Sequence, residues 1–160
     1  MSLNVYYGSQ GNEMIRELEK KIIRALNQNA RKSFREIAKE VGTSATAVIN
    51  IVKKLESQGA IKGYVPIVDP VHFGFDLTAI IALRISQGKL LETQRKIAAD
   101  PQVAAVFDIT GEWDSFVLAH FKDRDDLNRF LKKLNSIPYI DRTATHLVLN
   151  TVKDERRLFL

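Results

Sequence analysis

Cysteine is absent from the 160 residues, which excludes disulfides, thiolate zinc sites and thiol nucleophiles and fits a cytoplasmic protein. No apolar run approaches the roughly 18 residues that a membrane-spanning helix needs. The opening residues 1–12, MSLNVYYGSQGN, carry no signal-peptide pattern and read as a flexible arm. Most of the chain also lacks net charge: residues 64–160 hold 13 basic and 13 acidic side chains, whereas residues 1–63 hold 11 and 6. The whole formal excess of +5 therefore sits in the first part. What remains is ordinary for a globular protein, 45% hydrophobic and 27% charged. A small basic module beside a neutral one is the charge pattern of a nucleic-acid-binding head on a non-binding body.

The head reads as three helices. Ile15, Leu18, Ile22, Ala25 and Leu26 recur at helical spacing and predict a helix over residues 13–28. Ser33 with Glu36 is a capping box that starts a second helix running to about Val41, where Gly42 ends it. Ser44 caps a third, whose inward residues are Val48, Ile51, Val52 and Leu55 and which ends near Gly59. Ala38 at the crossing, Gly42 in the turn and Ile37, Val41, Val48 and Ile51 in the crevice form a helix-turn-helix pattern. In that register the third helix turns Thr46, Ala47, Asn50, Lys53, Lys54 and Ser57 outward. Asn50 can bond adenine twice, Thr46 a base edge or a thymine methyl, and Ala47 a thymine methyl. Ser44 begins this reading set, and Arg31, Lys32, Arg35, Lys53 and Lys54 are its phosphate anchors. The helix has no arginine, hence nothing for bidentate guanine reading, so it predicts A·T-leaning, modest specificity with much shape readout.

Residues 61–75, IKGYVPIVDPVHFGF, read as a strand-like linker with a turn at Asp69-Pro70. His72, alone within it, reads as a surface or packing histidine. Beyond it the elements follow as strand 77–85, helix 89–99, strand 103–109, strand 115–121, a helix opened by Asp123 and Asp126, and strand 142–152. Leu90, Leu91, Ile97 and Ala98 are the inward residues of the first of these helices, and Leu127, Phe130, Leu131 and Leu134 those of the second. The order βαββαβ is the ferredoxin-like arrangement, and the fold class is α+β. The predicted layout is a flexible arm at 1–12, a winged-helix-like helix-turn-helix domain at 13–63, a hinge at 64–75 and a regulatory, oligomerising domain at 76–160. In the first strand Leu77, Ala79, Ile81, Leu83 and Ile85 suit a face covered by helices. Thr78, Ile80, Ala82 and Arg84, with Ala104 and Val106, make an opposite face too apolar to stay wet, which predicts at least a dimer.

Residues 110–114, Thr110, Gly111, Glu112, Trp113 and Asp114, carry the most chemistry in the second half. Gly111 permits a tight turn and close approach of a ligand. Asp114 beside backbone donors suits either an amino acid's two charged ends or a hairpin turn whose carboxylate caps amides.

The stretches ALNQNARKSFREIAKEVG, KKLESQGAIKGY and DPQVAAVFDITGEWD, in this order, resemble the feast/famine (Lrp/AsnC) regulators, the archaeal branch in particular, over about residues 13–155. The resemblance implies a transcription regulator of double-stranded DNA with no cofactor. It implies a homodimer through the second domain, assembling to an octamer, and an amino-acid effector bound around Gly111 to Asp114 with Thr143 and Thr145 nearby. A place in the cytoplasm, with the nucleoid, goes with that role. Many members carry two adjacent basic residues where this chain has Asn50 and Ile51, so the target sequence does not transfer. One alternative is a nucleoid-architectural protein binding DNA with little preference. Another is a tetrapyrrole decarboxylase of the same architecture, which would draw on His120, His146 and Arg142.

Overall fold

A computed structural model describes residues 17–86, 88–158 and 160. The arm at 1–12, and Ile15 with the start of the first predicted helix, lie outside them. Two compact units form: one runs to Pro66 and takes in Glu155–Leu160, the other is Ile67–Asp154. The predicted second domain ran to residue 160, whereas the last six residues group with the helical unit. There Asn27 Nδ2 donates to the Leu158 carbonyl at 2.9 Å and Arg24 Nε to the Leu160 carbonyl at 2.7 Å.

The helical unit consists of α1 (Glu17–Gln28), α2 (Phe34–Val41) and α3 (Ala45–Ser57). Its core is a single cluster of Ile22, Ala25, Leu26, Ile37, Ala38, Val48 and Val52, with Val41 and Ile51 packed against it. The α2 start is set by a reciprocal cap: Ser33 Oγ accepts from the Glu36 N–H, and the Glu36 carboxylate accepts from the Ser33 N–H at 2.6 Å. Its end is set by Gly42 at φ 73°, a left-handed turn that a Cβ would strain. Two residues after that glycine, Ser44 Oγ accepts from the Ala47 N–H at 3.1 Å and opens α3. Small and apolar residues at these offsets let α2 and α3 cross closely, as the helix-turn-helix spacing requires.

Past α3 the linker does not enter a sheet. Residues 62–69 carry no regular structure, and Tyr64, Val65, Ile67 and Val68 are exposed. The turn at Asp69-Pro70 is present, because Asp69 Oδ1 accepts from the Val71 N–H at 3.0 Å and a 3-10 turn follows over Val71–Phe73.

The second unit is a four-stranded antiparallel sheet, β1 (Leu77–Ile85), β2 (Val103–Asp108), β3 (Ser115–Phe121) and β4 (Ile140–Leu147), in the order β2-β3-β1-β4. The helices α4 (Leu90–Ala98) and α5 (Arg124–Asn135) cover one face. Ala79, Ile81, Leu83, Ile85, Val117, Ala119 and Phe121 meet Ile97, Leu127, Phe130 and Leu134 in one core, as the first strand's alternation requires.

Three details differ from the sequence reading. In α4 the buried stripe is Thr93, Gln94 and Ile97, with Leu90 packed beside the core, while Leu91 and Ala98 are exposed. Leu90, Gln94 and Ile97 recur at the helical period, and Leu91 falls one step, about 100°, off that stripe. In β2 an irregularity between Val103 and Ala105 shifts the alternation, so Val106 pairs with Val117 and packs in the core. Ala105 and Phe107 take the open face in its place. Strand β4 begins at Ile140, opposite Ile85, and stops at Leu147, opposite Ala79, short of the predicted Val152; one further bond joins the Val148 N–H to the Thr78 carbonyl.

Candidate nucleic-acid interface and effector cavity

The capped start of α3 fixes which residues it presents. Thr46, Asn50, Lys53 and Ser57 are exposed along one side of the helix, and Ala47 is half-buried beside them. Val48, Val52 and Leu55 are buried on the opposite side. The helix thus offers an amide, a hydroxyl, a methyl and an ammonium, the set that the spacing predicted. Ser44 commits its hydroxyl oxygen to the Ala47 N–H, so its structural role is the cap.

The cations around this face differ in what they hold. Arg31, Arg35 and Lys53 are exposed and, among the described residues, form no ion pair. Lys32 instead pairs with Glu40 at 2.6 Å and donates to Gln28. Lys54 lies 3.4 Å from Glu19 on α1, a carboxylate only 6% exposed. A buried carboxylate needs such partners, so Lys54 braces α3 on α1, and a phosphate would have to compete for its charge. Sequence reasoning grouped the five cations together because nothing local in the sequence shows that Lys32 and Lys54 are engaged within the fold.

In the second unit the loop between β2 and β3 carries the other predicted set. Gly111 at φ 118° gives the loop a backbone path that other residues rarely adopt. Asp114 ties the loop down: its Oδ2 accepts from the Ile85 N–H at 2.8 Å, its own N–H donates to the Leu83 carbonyl at 3.0 Å, and its carbonyl accepts from the Ile109 N–H. The carboxylate therefore caps strand amides, the structural alternative set beside the ligand role. Thr110 is exposed next to it.

A cavity of about 380 Å³ opens over this loop, lined by Arg84, Gly111, Glu112, Trp113 and Arg142. That volume lies within the usual range for small-ligand sites, roughly 300–1,000 Å³. Arg84 Nη1 donates to the Glu112 carbonyl, and its Nε lies 3.7 Å from Asp114 Oδ2. The Arg142 guanidinium sits 5.0 Å from the Trp113 ring centroid, with an Nη1 3.7 Å from Glu112 Oε1. Arg84 and Arg142 face each other across the β1–β4 register. Both belong to the cavity, and neither was assigned to the effector set from sequence. The available signal was Arg84 itself, the single charged residue in LTAIIALRI, but its register partner is not readable from one strand.

Thr143 and Thr145 do not join this cavity within one subunit. They pair with Leu83 and Ile81, whose side chains face the helices, and Thr143 Oγ1 lies 3.5 Å from Asn135 of α5. The period-2 alternation puts Arg142 on the open face and these threonines on the covered one. His120 faces Thr78, with 2.9 Å between Nδ1 and Oγ1, and His146 is exposed opposite Ile80. Among the described residues no group of three acidic, histidine or cysteine side chains is placed to hold a metal ion, and no helix is long and apolar enough to cross a membrane.

Comparison with known proteins agrees with both halves. A winged helix-turn-helix DNA-binding family model matches residues 15–62, and the Lrp/AsnC ligand binding domain model matches residues 78–158. An HTH-type transcriptional regulator of Pyrococcus abyssi is 44% identical over 145 residues, covering 91% of this chain and 99% of its own. HTH-type transcriptional regulator Ptr1 of Methanocaldococcus jannaschii is 37% identical over 146 residues, with the same coverage of each chain, 91% and 99%. Among solved structures, E. coli AsnC superposes with a TM-score of 0.81 at 26% identity, over 89% of this chain and 97% of that one. A transcriptional regulator of Neisseria meningitidis in complex with L-Met gives 0.81 at 25% identity, over 89% and 95%. The matched domains and relatives are those of transcription regulators and not of enzymes, which removes the decarboxylase alternative. This chain belongs to the Lrp/AsnC family of transcriptional regulators, with a helix-turn-helix DNA-binding unit followed by the family's ligand-binding domain.

Proposed function

We propose that the chain regulates transcription as a homodimer or larger assembly whose grip on DNA responds to an amino acid held in the cavity over Gly111–Asp114. The observation that carries this reading is the cavity itself: two guanidiniums, one exposed carboxylate and an indole converge on a glycine-bearing loop inside the matched ligand-binding domain. Guanidiniums suit an α-carboxylate, and Glu112 suits an α-ammonium. The relative solved with L-Met supports an amino acid as the class of ligand.

The pairing surface is the uncovered sheet face. Ile80, Ala82, Phe107, Leu118 and Ala144 lie on it by register, with Ile80 39% and Phe107 53% exposed. A second copy is the simplest cover for such a patch, and dimers assembling to an octamer would extend it. Two heads on such a dimer meet successive major-groove faces, so the operator is roughly palindromic with half-sites about one helical turn apart. The effector acts by binding one assembly or head arrangement better than another. The protein works in the cytoplasm beside the nucleoid.

Screening the twenty amino acids by thermal shift on the full chain tests the effector, since a ligand of the folded form must stabilise it. At least one should raise the melting temperature and change DNA affinity or assembly size; none doing so removes the effector from the account. A second reading, nucleoid architecture with little sequence preference, is favoured by one observation: α3 presents no arginine. A footprint confined to the gene's own promoter excludes it, and uniform coverage of unrelated DNA supports it.

A further inference from the structure

The last residues of the chain group with the helical unit, although the whole sheet unit, Ile67–Asp154, separates Glu155–Leu160 from it in sequence. Main-chain carbonyls make the join. Asn27 Nδ2 donates to the Leu158 carbonyl at 2.9 Å, and Arg24 Nε donates to the Leu160 carbonyl at 2.7 Å. Arg24 and Asn27 lie three apart and are neighbours on one side of α1. They meet the tail in reverse order, so it runs antiparallel to the helix. Arg24 is exposed and Asn27 half-buried, whereas the helical core is built from Ile22, Ala25 and Leu26, so this side of α1 is an outer surface of the unit. A cavity of about 270 Å³ opens there between α1 and the tail, with Gln28 and Arg157 among its lining. Within the tail Arg157 turns back on Glu155, its Nε and its backbone N–H each 2.8 Å from Oε1, and this fork shapes the segment just ahead of Leu158.

The contact is weak by construction. Leu158 is 71% exposed, so its burial adds little, and the seat on α1 rests on two hydrogen bonds at the surface. Such bonds are exchanged against bonds to water and have to offset the entropy of ordering the segment, which makes a contact that opens and closes. Closed, it gives the helical unit a second connection to the rest of the chain. Open, it leaves only the linker, whose residues 62–69 carry no regular structure.

We propose that the Arg24–Asn27 side of α1 is a docking site for the chain's own tail, and that the docked tail is a releasable latch limiting the freedom of the DNA-binding unit. Its effect on two heads sharing one operator rests on the reading of the protein as a DNA-binding dimer; the latch itself does not, and the two are tested separately. The chain has no cysteine, so Lys21→Cys with Leu158→Cys takes spin labels at those two positions alone. Lys21 is exposed on α1, and the tail is held through the Leu158 carbonyl and not its exposed side chain. Pulsed electron-spin distance measurement on the labelled full chain, neat and diluted with unlabelled chain, should show a short, narrow component beside a broad, longer one. Adding Arg24→Ala and Asn27→Ala should shrink the short component about tenfold, the scale of two surface hydrogen bonds lost together. Far-UV circular dichroism checks that this variant folds, and the distances in the parent chain test the docking without it. No short component, a short component unmoved by the two alanines, or one that disappears on dilution because a second copy supplies the tail, each overturns the proposal. On the operator, inserting about half a helical turn between the half-sites should cost the wild type about tenfold in affinity and Arg24→Ala/Asn27→Ala less than about threefold. Taking the ratio of the two duplexes cancels the loss of one cation, and an equal ratio in both proteins overturns the latch's hold on the heads. Absence of DNA binding by either protein overturns the regulator reading, and the spin-label distances then decide the latch alone.

Discussion

In the proposed reading Asn50 supplies information and Lys53 affinity on α3, because an amide bonds base edges in pairs while an ammonium meets any phosphate. Asn50→Ala is expected to cost about 1–3 kcal/mol on the preferred operator and to flatten preference at one A·T position, read by competition titration against substituted duplexes. Lys54→Ala should behave differently from Lys53→Ala. It removes a partner of the buried Glu19 carboxylate, so its first effect is a loss of about 1 kcal/mol in urea unfolding. Ser33 gives a pH-dependent case. Its side chain first, and its backbone N–H second, hold the Glu36 carboxyl below the ordinary carboxylate value of 4.5. A folded value below the unfolded one adds stability that is present above about 4.5 and lost as the pH falls through the folded value. Ser33→Ala should move the Glu36 titration, followed by NMR, back up toward 4.5 and lower the melting temperature at neutral pH. An unmoved titration would show that the cap is not formed in solution.

At the scale of elements, α2 ends where the chain enters a left-handed turn at Gly42 (φ 73°), and a side chain there would point into open space. Gly42→Ala therefore costs only backbone strain, about 1–2 kcal/mol, and Gly42→Asn less; chemical denaturation of the two variants checks the order. The caps and periods that predicted α2, α3, β1 and β3 are local, short-range devices, and for that reason they were readable in sequence. Leu91 and Val106 were misplaced because their environment is decided by a stripe angle and by a strand irregularity, both set by packing. The same distinction applies to the proposed effector cavity: Gly111 to Trp113 of its lining form one continuous stretch of sequence, while Arg84 and Arg142 come together only through the β1–β4 register, far apart in the chain. Thr143 and Thr145 share the strand with Arg142, but alternation sends them to the other face.

For the whole molecule, the open sheet face demands a partner more strongly than any single contact does. Ala82 has no exposure at all on that face, yet Ile80 and Phe107 beside it remain exposed, which leaves an apolar patch without cover in one chain. Sedimentation at micromolar concentration should give a dimer or larger species, and Ile80→Asp should reduce the mass by burying a charge without a partner. A wild-type monomer would remove the pairing surface from the account. The basic excess in residues 1–63 makes a second, independent demand, for a polyanion. Anisotropy titration of the full chain on duplex DNA over a salt series, wild type beside Lys53→Ala, tests the claim that α3 carries the grip. The account predicts affinity falling linearly on logarithmic axes as salt rises, with the slope shallower by about one for each head in the variant. A salt-independent affinity, or an identical slope in Lys53→Ala, would contradict it.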